Sequence, residues 1–103
     1  MNTHTWHSRY VLQALWTEKL RQFLLTKANA QPGDQILEVG SGTGALFPGF
    51  EGRGLRVVGL DYKPERCRYS LPYNSQRTVL CGNAYDIPAA DHSFDLSVCH
   101  YLL

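Results

Sequence analysis

Several features that would place this 103-residue chain in a specialised class are missing from it. Its three cysteines, Cys67, Cys81 and Cys99, are odd in number and widely spaced, with no CxxC pair. That pattern argues against a disulfide framework and against a zinc site. Reduced thiols suit a reducing compartment, and the expected location is cytoplasmic. No positively charged start leads into an apolar stretch of secretory type, and no apolar run is long enough to span a bilayer, so no membrane partner is expected. Charge of either sign is not in excess: ten Lys and Arg against nine Asp and Glu leave a formal net charge of +1, which gives little support for capture of nucleic acid. The densest cationic group, Lys63, Arg66 and Arg68, has no interleaved aromatic residues and reads as a solvated helix face. Of the four histidines only His4 and His7 are near each other, close to an unanchored N-terminus, and they read as surface residues. No metal site is expected.

What is present fits one small globular domain. A hydrophobic share of 44% with 18% charged residues is that of a chain that folds, and the length allows a single core. From Trp6 to Ala30 there is neither proline nor glycine, and Tyr10, Leu12, Leu15, Trp16, Leu20, Phe23, Leu24 and Ala28 recur mostly at three- and four-residue intervals. This is helical periodicity, in one bent helix or in two, with Thr17 and Glu18 as the point of a new start. Gln31-Pro32-Gly33-Asp34 is a turn. Gln35–Val39 reads as a strand buried on both faces. A short helix is expected from Thr43 to about Gly49, with Pro48 tolerable only in a first turn. A second strand runs from Leu55 to Leu60 and ends in Asp61. A helix starts at Pro64 and runs to about Ser70, with Pro72 as its stop. Thr78–Cys81 is a third strand and Phe94–Leu103 a fourth. The alternation implies a parallel sheet with right-handed crossovers. The expected organisation is an N-terminal helical segment, 1–30, followed by an α/β unit over 31–103.

The chemistry concentrates where the first strand ends, in Ile36-Leu37-Glu38-Val39-Gly40-Ser41-Gly42-Thr43-Gly44. Gly40 and Gly42 remove Cβ atoms that would keep a ligand off the backbone, and they permit positive φ where a strand breaks towards a helix. The first βα turn of an open parallel sheet is the usual place for a nucleotide-like ligand. Gly40-x-Gly42-x-x-Ala45 also satisfies a dinucleotide pattern, so NAD and an oxidoreductase stay open as an alternative. Glu38 favours a different ligand. A carboxylate in the strand repels a diphosphate and attracts a ligand with ammonium and sulfonium groups, such as S-adenosylmethionine. Asp61, 21 positions after Gly40, falls at the carboxyl end of the second strand, where it can accept from both ribose hydroxyls or cap the next helix. Tyr62 beside it can lie against an adenine face.

The third segment is Gly82-Asn83-Ala84-Tyr85-Asp86-Ile87-Pro88, continuing through Asp91, Ser93, Phe94 and Asp95. Together with ILEVGSGTG and VVGLD it resembles the class I S-adenosylmethionine-dependent methyltransferases, most closely the small-molecule group, over roughly Pro32 to Leu103. The resemblance implies a Rossmann-like doubly wound parallel sheet and a methyl transfer from S-adenosylmethionine to a small-molecule acceptor. It implies that Glu38, Gly40, Ser41 and Gly42 surround the methionine part of the cofactor, that Asp61 holds the ribose, and that Asn83 and Ala84 meet the adenine. Asn83 stands where the family usually has an acidic residue; its side-chain carbonyl can accept from an amino group without a charge. Phe94 reads as core and Asp95 as a residue that orders a loop or a sheet end. His100, near the carboxyl end of the fourth strand, is either a pocket-lining residue or a structural one. No catalytic residue is assigned.

Members of that family continue beyond the fourth strand, and the sequence ends at His100-Tyr101-Leu102-Leu103. The expectation is therefore a sheet truncated after the fourth strand, with an exposed apolar edge that pairs with another chain or forms a homo-oligomer. A module that binds the cofactor without turning it over is the alternative to an active enzyme.

Overall fold

The computed structural model describes residues 2–70 and 78–99. Pro72, His100, Tyr101, Leu102 and Leu103, for which the sequence carried expectations, lie outside the described residues. Two helices come first, α1 (Thr3–Trp16) and α2 (Glu18–Lys27). Asn2 caps α1, its side-chain oxygen accepting from the Thr5 amide at 2.9 Å. The break falls at Thr17, as the sequence suggests. There the Arg21 guanidinium reaches back across the break, donating to the Ala14 carbonyl at 2.8 Å and to the Thr17 hydroxyl. A carbonyl left over at the end of α1 is thereby satisfied from inside α2.

The inward face of this pair differs from the one the periodicity suggests. Ala14, Arg21 and Leu25 are buried against the sheet, whereas Leu12, Leu15, Trp16, Leu20, Phe23 and Leu24 remain more than half exposed. An apolar repeat identifies a helix, but it does not say which part of a wide apolar stripe meets the sheet.

Four parallel strands follow: β1 (Gln35–Val39), β2 (Arg56–Asp61), β3 (Thr78–Cys81) and β4 (Leu96–Cys99), in the order β3-β2-β1-β4. Among them lie two short helices, α3 (Phe47–Glu51) after β1 and α4 (Pro64–Tyr69) after β2. The chain forms the Rossmann-like parallel sheet read from the sequence, with β1 in the interior between β2 and β4. Ile36 pairs with Val57 and Leu37 with Val58, so alternate residues of both strands feed two apolar layers. On one face Ile36 and Val57 join Phe47, Phe50, Leu55, Ala14 and Leu25; on the other Leu37, Val58 and Leu60 meet Val39, Leu80, Ile87 and Phe94. A strand covered on both sides needs the continuous apolar run that β1 has.

Two expectations move. The helix after β1 starts at Phe47, four residues later than Thr43, because Gly40, Gly42 and Gly44 all have positive φ and the turn they make reaches Leu46. Pro48 then sits in the first turn, where its missing N–H costs nothing. The described part of the fourth strand is Leu96–Cys99, shorter at its start than Phe94, because Asp95 turns to tie β1 down: its carboxylate accepts from the Gln35 amide at 2.8 Å and its own amide donates to the Gln35 carbonyl at 2.8 Å. No helix among the described residues is long and apolar enough to cross a membrane.

Candidate functional site

At the carboxyl ends of β1, β2, β3 and β4 lies a cavity of about 580 Å³. It brings together eight of the nine residues singled out for the cofactor: Glu38, Gly40, Ser41, Gly42, Asp61, Tyr62, Asn83 and Ala84 all line it. His100, the ninth, lies outside the described residues. The size is that of a small-molecule or cofactor pocket.

The glycine turn forms one wall. Gly40 has φ +75° and Gly42 φ +58°, a conformation that side chains rarely adopt, and a Cβ built on either would meet no protein atom within 4 Å. The glycines are thus required by the backbone, and the space beside them is available to a ligand. The turn is held to β2 by two backbone bonds, from Gly40 and Ser41 amides to the Leu60 carbonyl at 2.8 and 2.9 Å.

Asp61 completes that hold. One carboxylate oxygen accepts from the Gly42 amide at 2.9 Å and the other from the Lys63 amide at 3.0 Å. The first bond fixes the turn and the second leads the chain into α4, so the capping role read from the sequence is met by the same side chain that lines the cavity. A carboxylate has about four acceptor positions, which leaves capacity for two hydroxyls. Asp61 is only 5% exposed and lines the cavity.

Glu38 is the most unusual group. It is 2% exposed, and its Oε1 has no hydrogen-bond partner. Burial pushes its carboxyl up to about 8; the Arg21 guanidinium pulls it back, and the Asp61 carboxylate adds to the rise. This amends the electrostatic reading of the sequence, which took the side chain as charged by default. A carboxylate becomes stable here when a cation reaches it. Ser41 likewise buries a hydroxyl oxygen without a partner. Two orphaned polar atoms beside an open glycine turn are what a ligand with ammonium and carboxylate groups would satisfy. The residues therefore fit S-adenosylmethionine.

On the opposite wall Asn83 makes a turn of its own, its side-chain oxygen accepting from the Tyr85 amide at 2.9 Å. Tyr62 and Tyr85 are 69% and 98% exposed at the rim. The Lys63 ammonium stands 5.8 Å from the centre of the Tyr62 ring and covers part of one face.

Eight other residues line the cavity, and three of them with polar side chains come from elements the sequence did not bring to the site. Tyr10 reaches the cavity from α1, Arg66 from α4, and Cys99 from the end of β4. The Arg66 position shares a helix with Arg68 and looked like a solvated face; only the packing of α4 on β2 and β3 turns one of the two inward. His4 is exposed, as read from the sequence, but the N-terminus is not unanchored and His7 is not a free surface residue. His4 Nδ1 lies 2.7 Å from the Tyr69 hydroxyl, and His7 Nδ1 lies 2.7 Å from the Thr43 hydroxyl inside the glycine turn. The start of the chain is anchored over the turn, and His7 is half-buried there, its imidazolium disfavoured by burial and by the nearby His4.

Comparison with known proteins agrees with this geometry. Residues 37–103 match the family described as "Methyltransferase domain". The demethylmenaquinone methyltransferase of Renibacterium salmoninarum is 31% identical over 85 residues, which cover 82% of this chain and 36% of that protein. The ribosomal RNA small subunit methyltransferase A of Chlamydia trachomatis is 38% identical over 60 residues, covering 56% of this chain and 22% of the relative. Among solved structures, the YcgJ protein of Bacillus subtilis superposes with a TM-score of 0.67 at 21% identity, over 78% of this chain and 36% of that one. The [4+2]-cyclase SpnF shares the fold as well, with a TM-score of 0.65 at 17% identity over 78% of this chain and 32% of that one. The chain spans about a third of the length of the first curated relatives it matches. With the family match covering most of the chain, and with the glycine turn, Glu38 and Asp61 gathered at one cavity, this chain belongs to the S-adenosylmethionine-dependent methyltransferases.

Proposed function

We propose that this chain binds S-adenosylmethionine in the cavity above β1 and β2 and serves transfer of its methyl group to a small-molecule acceptor. The observation that carries the reading is the pairing of an open, positive-φ glycine turn with a buried, unpartnered Glu38 oxygen. A fold shared with a cyclase would not carry it alone; the residues at the site do. When bound, S-adenosylmethionine supplies an electrophilic methyl group on a sulfonium, which is a good leaving group. The protein then has to orient and to exclude water more than to react. Glu38 and Ser41 address the amino-acid end, Asp61 the ribose, and Asn83 and Ala84 with Tyr62 the adenine. Tyr10, brought over the cavity by α1, narrows the space from which water enters.

A small-molecule acceptor is supported by the near-neutral charge of +1, which gives little drive for capture of a polyphosphate, and by the quinone named in the relative matched over 82% of this chain. The surroundings proposed for it are those of a reducing, cytoplasmic compartment, with Cys67, Cys81 and Cys99 all unpaired. The test is a thermal-shift and calorimetric comparison of S-adenosylhomocysteine with NAD, followed by methyl-labelled S-adenosylmethionine and a panel of quinol, phenol and carboxylate acceptors. Stabilisation by S-adenosylhomocysteine with label passing to one of the acceptors is expected. Stabilisation by NAD alone would overturn the reading, and binding with no label transferred to any acceptor would leave a binding module in its place.

A further inference from the structure

Glu38 is placed where an ionised carboxylate is poorly supported. On its face of the sheet the nearby cation is Arg21 of α2, whose terminal nitrogens donate to the Thr17 hydroxyl and, at 2.8 Å, to the Ala14 carbonyl and leave Glu38 Oε1 without a donor. From β2 the Asp61 carboxylate opposes it. The Glu38 side chain is 2% exposed, and Oε1 meets neither a donor nor solvent, yet it lines the cavity proposed for the cofactor. A carboxyl group in such a place has two ways to be satisfied: a proton, or a cation in the cavity.

We propose that a cationic ligand enters this cavity in exchange for a proton, so that Glu38 is protonated in the ligand-free protein at neutral pH and releases one proton to solvent when an ammonium-bearing ligand arrives. Charge balances across the step: a neutral carboxylic acid and a ligand cation become an ion pair and a free proton. The inference rests on the assignment of the cavity to S-adenosylmethionine and adds its regulation. It makes capture weaker in acid, and it removes an unpaired buried anion from the ligand-free fold. The raised titration range of Glu38, about 8, agrees with this geometry.

The experiment is calorimetric titration of the whole chain with S-adenosylhomocysteine at pH 7 in phosphate and in Tris, whose ionisation enthalpies differ. The wild type is expected to release close to one proton per ligand bound and Glu38→Gln close to none, with wild-type affinity falling about tenfold per pH unit between pH 7 and 6. Carbon-13 spectra of glutamate-labelled, ligand-free wild type give a second readout that needs no variant: one carboxyl should titrate above pH 7. Binding of S-adenosylhomocysteine without proton release, or all glutamates titrating near 4.5, would overturn the proton exchange and leave the cofactor assignment standing. Absence of S-adenosylhomocysteine binding from pH 6 to 9 would overturn the assignment and this inference with it.

Discussion

Asp61→Asn separates the structural role of the carboxylate at the end of β2 from the ribose-binding role proposed for it. In the wild type its two oxygens accept from the Gly42 and Lys63 amides at 2.9 and 3.0 Å, and the residue is 5% exposed. An asparagine keeps one acceptor and presents an NH2 group to the other amide, so one charge-assisted bond is lost and two donors face each other. Bonds to a charged group contribute about 1.5–3 kcal/mol each, which sets the expected loss of stability. For a chain of this size that corresponds to a fall in Tm of about 6–24 °C. Urea denaturation followed by circular dichroism measures the first quantity and differential scanning fluorimetry the second. With the glycine turn loosened and the ribose partner weakened, affinity for S-adenosylhomocysteine should drop at least about tenfold, or 1.4 kcal/mol, by calorimetry. A variant within about 0.5 kcal/mol of the wild type would show that these two bonds do not hold the turn. Lost stability with unchanged affinity would remove Asp61 from the ligand site.

Three further outcomes follow from the packing and the titrating groups. Gly59→Ala would put a Cβ 2.6 Å from Phe47 Cζ and from Ser41 Oγ, and since Phe47 is fully buried it has nowhere to move; a cost of about 1–3 kcal/mol is expected in urea denaturation, and an unchanged midpoint would refute the clash. Glu38 titrates higher in the folded protein than its ordinary 4.5, so its contribution to ligand-free stability is full below 4.5 and is lost as pH rises through about 8, by at most about 1.4 kcal/mol per pH unit. The difference in urea midpoint between wild type and Glu38→Gln, measured from pH 5 to 9, should decline across that window and then level; a flat difference would contradict it. His7 titrates below its ordinary 6.5, so its neutral form is the one that supports α1 on the Thr43 hydroxyl, and that support is present above 6.5 and lost as pH falls through the lowered value. Proteolysis of the N-terminal segment should accelerate in that acid range in the wild type, and equal rates at pH 5.5 and 7.5 would argue against the anchor.

The sequence by itself determined the sheet and the half of the site that lies on its strand ends. An unbroken apolar run in β1, the spacing from Gly40 to Asp61 and the third segment from Gly82 are local patterns, and local patterns survive in one dimension because a strand, a turn and a strand end fix their own side chains. Eight of nine chosen residues meet at one cavity for that reason. Tertiary structure decided the rest. The start of α3 at Phe47 depends on three alternate glycines, Gly40, Gly42 and Gly44, with positive φ, and no helix signal near Thr43 could report that. The inward turn of Tyr10 and Arg66, and the anchoring of His7 on Thr43, depend on which stripe of a helix meets the sheet. Glu38 shows the division most clearly: its position was legible from its neighbours in the chain, but its charge state was not, because that is set by burial and by Arg21 and Asp61, which only folding brings close.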